Sequence, residues 1–142
     1  DTPRAKSTDW IATRQAARAA LPDDAYEAQL TDEQGAILEG TSSNFFAVLD
    51  GALHTAGEGV LNGVARAVVL EVALAVLPVV TQPVTLADLP RLEEAMLSSS
   101  SRGVVAITRI DGQPVGGGRP GPVVAALRAR YDAWTQAHLE PL

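Results

Sequence analysis

Lys6, in the stretch Arg4-Ala-Lys-Ser-Thr-Asp-Trp10, is the only lysine of the chain, against ten arginines (11 basic residues less one). The chemical task open to lysine and closed to arginine is that of a neutral primary amine, which forms a Schiff base with a carbonyl once its pKa is lowered. The plain alternative is a surface lysine kept by chance. Glu39 is the second candidate, at the end of the apolar run from Ala36 to Leu38 and just before Gly40-Thr-Ser-Ser-Asn-Phe-Phe46. A carboxylate on a mostly buried strand needs a partner, or its pKa rises and it neutralises. That partner is either an arginine of the core or a protonated ring nitrogen of a ligand. Gly63-Val64-Ala65 opens a helix whose first N–H groups lack intrahelical acceptors, and such an end suits a phosphate. Ser98, Ser99, Ser100 and Ser101 offer hydroxyls and N–H groups of the kind that complete a phosphate cup. A helix-start glycine and a polar serine loop are the ordinary readings of the same residues. Arg102, next along, suits either a bidentate grip on a substrate carboxylate or an ordinary ion pair.

Composition bounds the rest. A length of 142 residues is that of one ordinary domain with a real core. Hydrophobic content of 46% with 20% charged residues is a globular balance. The net charge of −6 weighs against non-specific binding to nucleic acid or an anionic membrane. There is no cysteine, which excludes disulfides and thiolate metal sites, and no metal is expected. Without a secretory signal or a bilayer-length apolar run, the expected location is cytoplasmic. The chain opens on Asp1 rather than methionine, which raises the expectation of a piece of a longer protein.

Several elements must position the candidates. Trp10 to Leu21 reads as a helix behind the capping oxygens of Ser7-Thr-Asp9, stopped by Pro22, with a turn at Asp23-Asp24. Short apolar runs at Tyr26 to Leu30, Ala36 to Glu39, Phe45 to Leu49 and Ala52 to Thr55 alternate with turn residues, including Asp50-Gly51, and predict an antiparallel meander. The clearest helix is Val64 to Leu77, with Ala65, Val68, Val69, Val72 and Val76 on one face and few charges elsewhere, so it is expected to be mostly buried. Val79 to Val84 reads as a strand, Thr85 caps a short helix to about Leu89, and a further strand reaches Leu97. After the loop from Ser98 to Gly103, Val104 to Ile110 runs into a hairpin at Asp111-Gly112. Gly116 to Gly121 is a connector to a terminal helix begun by Pro122, with Val123, Leu127, Tyr131 and Trp134 on one face. That stripe serves the core or a dimer interface.

Lys6, Glu39 to Phe46, Val60-Leu-Asn-Gly-Val-Ala-Arg66, the loop from Ser98 to Gly103, Ile110-Asp-Gly112 and Gly118-Arg-Pro-Gly-Pro122 occur in an order and spacing that resemble the class IV (fold type IV) pyridoxal-phosphate enzymes. That family includes branched-chain and D-amino-acid aminotransferases and aminodeoxychorismate lyase. The resemblance implies an α/β, α+β-like fold with a mostly antiparallel, barrel-like sheet and surrounding helices. It implies pyridoxal 5'-phosphate as cofactor, with Lys6 as its Schiff-base lysine and proton shuttle. By the same resemblance Glu39 pairs with the pyridine nitrogen and Leu61 packs on the ring. The N–H groups of Val64 and Ala65, with Ser100 and Ser101, hold the phosphate. The substrates implied are an amino acid and a 2-oxo acid.

The sequence departs from the family pattern in three places. A tyrosine that many branched-chain members carry five residues after the lysine is here Ile11. A proline usual after the serine loop is Ala106. Members also carry an N-terminal domain before the lysine, so residues 1–142 are expected to be the C-terminal, cofactor-binding domain, with that first domain absent from the chain. The parent is expected to be a homo-oligomer, a dimer. Two other readings stand beside transamination: a lyase of the aminodeoxychorismate type, and a fragment that binds cofactor but is catalytically incomplete.

Overall fold

The computed structural model describes residues 27–138. Lys6, the expected helix from Trp10 to Leu21 and the turn at Asp23-Asp24 lie outside the described residues. Within them the architecture is mixed α/β: a seven-stranded sheet, a separate two-stranded hairpin and two α-helices.

The sheet is organised on β3 (Asn44–Leu49), which is buried along its whole length. β2 (Ile37–Gly40) and β4 (Ala52–His54) flank it along one edge, and β6 (Glu94–Ser99) runs along the other. β1 (Gln29–Thr31) continues beyond β2, and β7 (Gly103–Ile107) beyond β6, all antiparallel. The expected meander is therefore present. Its tight turn at Asp50-Gly51 has φ of 51° and 75°, positive at both central residues as a twisted two-residue hairpin demands. Asp111-Gly112 repeats the geometry between β8 (Arg109–Ile110) and β9 (Gln113–Pro114).

One pairing departs from the meander. β5 (Val79–Val80) runs parallel to β4, with α1 (Val64–Ala73) as the crossover, so a single βαβ unit is set into the antiparallel sheet. The strand expected from Val79 to Val84 stops after two residues. Pro83 lacks a ladder donor and restricts the residue before it. The chain then crosses to β2, where Ile37 N donates to Val84 O at 2.8 Å and Ala36 bridges Thr85. Among the described residues the sheet does not close.

Both faces of β3 and β6 are covered, which is why Phe45 to Leu49 reads as an unbroken apolar run and not an alternating one. On one face Phe46, Val48, Leu53 and Met96 pack against Val68 and Val69 of α1 and against Val124, Leu127 and Tyr131 of α2 (Pro122–Ala137). On the other, Phe45, Ala47, Leu49 and Ala95 pack against Val84, Leu92 and Val115. That second layer comes from the residues flanking a 3-10 helix, Leu86–Arg91, with Leu89 of the helix half-buried against it, and from the residues around the β8–β9 hairpin. Thr85 and Asp88 form a capping box at the 3-10 helix, which extends past the expected end at Leu89. The Thr85 backbone N–H and then Arg91 hold the Asp88 carboxyl below the usual carboxylate range.

Both α-helices differ from expectation in detail. α1 ends at Ala73 instead of Leu77, and its last residues tighten into i→i+3 bonds such as Val76 N to Ala73 O at 2.9 Å, ahead of Pro78. Half of its ten residues are buried, Arg66 among them, while Val64 at its start and Leu74 just past its end are 74% and 77% exposed. In α2 the buried stripe is Val124, Leu127 and Tyr131, with Val123 and Trp134 only half-buried. Trp134 Nε1 donates to Glu71 Oε2 at 2.7 Å, tying α2 to α1.

The start of α2 has no cap from its own segment. Glu94, a buried carboxylate on β6, takes that role: its two oxygens accept from Val124 N at 2.8 Å and Val123 N at 3.0 Å. The partial positive charge of the helix end and two N–H donors satisfy an anion inside the protein. Glu94→Ala is expected to lower stability by about 1–3 kcal/mol, because it strands both donors. Glu94→Gln, which keeps one acceptor, is expected to cost less; urea unfolding of the three proteins checks the order.

Candidate functional site

Register brings the polar residues together. Glu39 pairs with Asn44 across β2 and β3, and Asn44 pairs with Ser98 across β3 and β6. Residues directly opposite in an antiparallel ladder share a face, so the three side chains form a row at the end of the sheet, on the face that carries the α-helices. All three are buried, Glu39 to 1% exposure.

The loop into α1 settles onto this row. Leu61 N donates to Glu39 Oε1 at 3.1 Å, and Asn44 Nδ2 donates to Leu61 O at 2.9 Å and to Glu39 Oε1 at 3.4 Å. Asn44 thus bridges the carboxylate and the backbone that leads into the helix. Gly63 follows so closely that a Cβ there would lie 2.8 Å from Asn44 Oδ1. α1 then starts with Gly63 as its N-cap, no side-chain cap and no acidic residue in the first turn. The amides of Val64 and Ala65 stand at this positive helix end.

Arg66, one turn in, is the buried cation of the site. Its Nη2 donates to Ala56 O at 3.0 Å and its Nη1 to Asn62 Oδ1 at 3.4 Å, while Nε is buried without a partner. Burial lowers the Arg66 pKa from its ordinary value, and the Glu39 carboxylate opposes that shift. The guanidinium stays charged and offsets the buried acid. A core arginine is therefore present near Glu39, together with two hydrogen-bond donors. A second orphan, Ser98 Oγ, lies in the row beside Asn44, buried and without a hydrogen-bond partner.

The serines divide between strand and turn. Ser98 and Ser99 belong to β6, and Ser99 pairs with Gly103, so only Ser100, Ser101 and Arg102 form the turn. Ser100 and Ser101 are exposed there. Arg102 is held by the protein: Nη2 lies 3.1 Å from Glu27 Oε1, 3.0 Å from Ser42 O and 2.9 Å from Ser42 Oγ. Of the two readings left open at Arg102, the ion pair is the one seen, with Glu27.

Glu39, Leu61, Val64 and Ala65 come together at one end of the sheet, and Ser100 and Ser101 stand on the turn just beyond Ser98. Lys6 lies outside the described residues. Asn44, Arg66 and Glu27 were not singled out as site residues in the sequence, and Ser98, named among the four serines, lies in the row on β6 instead of on the turn. Asn44 read as part of a turn, yet a loop of only three residues after Gly40 forces it opposite Glu39. Arg66 carried no sign of burial, since one arginine on an amphipathic helix normally faces water. Among the described residues no group of three or more His, Cys, Asp or Glu could hold a metal, and no helix is long and apolar enough to cross a membrane.

Comparisons with known proteins follow the same residues. A family model described as amino-transferase class IV matches residues 1–110. The chain is 30% identical over 105 residues to a D-alanine aminotransferase of Staphylococcus aureus, covering 72% of this chain and 37% of that protein. It is 31% identical over 144 residues to a branched-chain-amino-acid aminotransferase of Pseudomonas aeruginosa, covering 96% of this chain and 47% of that one. Among solved structures, a T.th. branched-chain amino acid aminotransferase complexed with N-(5'-phosphopyridoxyl)-L-glutamate superposes with a TM-score of 0.86 at 28% identity, covering 96% of this chain and 47% of the other. The chain therefore spans less than half the length of these relatives.

Gly40 is the tightest point beside the row. A Cβ there would overlap the Glu27 carboxylate and the Ser43 hydroxyl, whereas a Cβ at Gly117 meets nothing within 4 Å. Gly40→Ala is expected to destabilise the protein by about 1–3 kcal/mol through that overlap. Gly117→Ala is expected to shift stability by no more than about 0.5 kcal/mol. Thermal unfolding of both variants checks the contrast.

Proposed function

The chain belongs to the class IV aminotransferases, and on that premise we propose that it is the C-terminal, cofactor-binding domain of an enzyme that moves an amino group from an amino acid to a 2-oxo acid with pyridoxal 5'-phosphate. The observation that carries this reading is the buried Glu39 carboxylate beside the uncapped start of α1. A buried acid meets a protonated ring nitrogen, and free helix-end amides meet a phosphate. The orphan hydroxyl of Ser98 is a further polar group in the same row. This donor set fits the cofactor.

In the proposed enzyme Glu39 faces the ring nitrogen and keeps it protonated. Asn44 and Leu61 N hold the carboxylate in one orientation, and the Leu61 side chain packs against the ring. The amides of Val64 and Ala65, with the hydroxyls of Ser100 and Ser101, receive the phosphate. Lys6 would hold the cofactor through its amine before substrate arrives and, once the substrate amine has displaced it, would move the proton at the substrate α-carbon. When bound, the cofactor supplies an electron sink for the bonding electrons released at that carbon. Arg66 keeps the buried charge balanced without touching the reacting atoms.

The length of the relatives supports a further domain, which shields this site from water and completes the substrate pocket. A cytoplasmic homodimer and a barrel-like closure of the sheet belong to the same proposal; the hydrogen bond from Ile37 N to Val84 O supports the latter by curling the sheet back on itself. A lyase reading uses the same residues, and no observation favours it.

Borohydride reduction of the cofactor-loaded, full-length protein is expected to put the label on the peptide that contains Lys6; label on any other peptide rejects the assignment. Glu39→Gln retains an acceptor for Leu61 N and is expected to leave the fold intact. Turnover is expected to fall by roughly a hundredfold or more, the size of a lost electrostatic contact at developing charge. A purely structural acid would instead give a lower melting temperature with turnover per folded molecule unchanged.

A further inference from the structure

Behind the Glu39 row lies a second charged cluster that this reading of the site does not use. Ser43 precedes Asn44 and Ser99 follows Ser98, so by strand alternation Ser43 and Ser99 face the opposite side of the sheet. There the Glu27 carboxylate, its side chain only 5% exposed, accepts hydrogen bonds from the Ser42 and Ser43 hydroxyls and from Arg102 Nη2. Arg102 Nε and its backbone N–H both donate to Ser99 Oγ at 3.1 Å, and Nη2 also reaches Ser42 O and Ser42 Oγ. One guanidinium thus joins the chain before β1, the β2–β3 loop and the β6–β7 turn.

We propose that Glu27 and Arg102 form a clamp that fixes the Ser100–Ser101 turn against the β2–β3 loop, so that Arg102 is a positioning residue for phosphate binding and not a grip for the substrate carboxylate. The inference rests on the cofactor reading above. Three features carry it. The Nε and Nη2 donors of Arg102 already have acceptors within the protein, so a substrate carboxylate gripped by the Nε–Nη2 edge would have to displace Ser99 and Glu27. The planar fork spans acceptors on separate segments, a geometry that a flexible cation reproduces poorly. The clamp also closes on itself: a half-buried guanidinium and a nearly buried carboxylate each lose their main compensation if the other is removed. Gly40 is the clearance that lets the Glu27 carboxylate sit there, since a Cβ at that position would occupy its place.

The role of the turn follows from its place. Ser100 and Ser101 are exposed and, among the described residues, make no hydrogen bond that would anchor them, so the residues on either side, Ser99 and Arg102, set their position. Phosphate binding by such a turn costs less when its conformation is already held.

A double-mutant cycle in the full-length protein tests the clamp, using Glu27→Gln, Arg102→Met and the pair together. Three quantities are read: pyridoxal phosphate affinity by absorbance titration, KM and kcat at saturating cofactor, and amide exchange across residues 99–103 in cofactor-free protein. Each single variant is expected to weaken cofactor affinity roughly tenfold, the size of one charge-assisted hydrogen bond. The double variant is expected to be no worse than the poorer single one, because the two residues act as one unit. Exchange at the turn is expected to quicken in both single variants, with KM for the 2-oxo acid unchanged. Should Arg102→Met fail to fold, Arg102→Lys, which keeps the charge but not the fork, is expected to show the same loss of affinity. A raised KM in Arg102→Met with cofactor affinity intact and Glu27→Gln silent would overturn the clamp and make Arg102 the carboxylate grip. Equal cofactor affinity in wild type and variants overturns it as well. A wild type that takes up no pyridoxal phosphate overturns the cofactor reading and, with it, the role given to the clamp.

Discussion

A carboxylate at 1% exposure is the constraint around which one end of this fold is arranged. An isolated buried charge costs far more than any single packing contact returns, so Glu39 must be supplied with donors and countercharge from elsewhere in the chain. Leu61 N and Asn44 Nδ2 supply the donors, and Arg66 supplies the charge. Meeting that need draws three separate segments to one place: the β2–β3 hairpin, the loop after β4 and the first turn of α1. The helix start is thereby presented beside a buried acid. The geometry that suits a cofactor is the same geometry that keeps the acid tolerable without one.

The rest of the fold supplies what this arrangement does not. Buried ion pairs contribute little net stability, and Arg66 Nε and Ser98 Oγ are left unpaired inside. Stability must come from the apolar layers on either face of β3 and β6. The polar row sits at the end of the sheet, beyond Phe46 and Met96, so the apolar core is continuous beneath it and is not interrupted by it. Glu94 follows the same pattern at the other end of β6, where a buried acid is satisfied by the amides at the start of α2.

Much of this was legible in the residues. Asp50-Gly51 and Asp111-Gly112 read as hairpins because aspartate and glycine tolerate positive φ, and both turns adopt it. The need of Glu39 for a partner, the free amides at Val64 and Ala65, and Pro122 at the start of the last helix followed from local chemistry. What escaped depended on pairings between distant segments. The parallel match of β5 to β4 requires the path of α1 over the sheet, which no local pattern encodes. β5 ends at Val80, and Pro83 bars its resumption, although the run from Val79 to Val84 reads as one strand. Arg66 and Glu94 gave no local sign of their partners, because Glu39 and the first turn of α2 lie 27 and 28 residues away (66 − 39 and 122 − 94).

The two faces of the sheet end divide the electrostatic work. On the face that carries the α-helices, an acid, a buried cation and an uncapped helix end surround a row with an orphan hydroxyl. On the opposite face, the charges of Glu27 and Arg102 are matched to one another and to serine hydroxyls. A matched cluster has little affinity left for a ligand, because any incoming ion must break bonds already made. An incompletely matched row has donors in reserve, here Arg66 Nε and the Ser98 hydroxyl. Charge alone would not distinguish the two clusters, since each holds one acid and one arginine. Their hydrogen bonds do: Glu27 and Arg102 are spent on one another and on serine oxygens, whereas Arg66 Nε and Ser98 Oγ near the start of α1 have no partner, and that side is the one suited to receive a ligand.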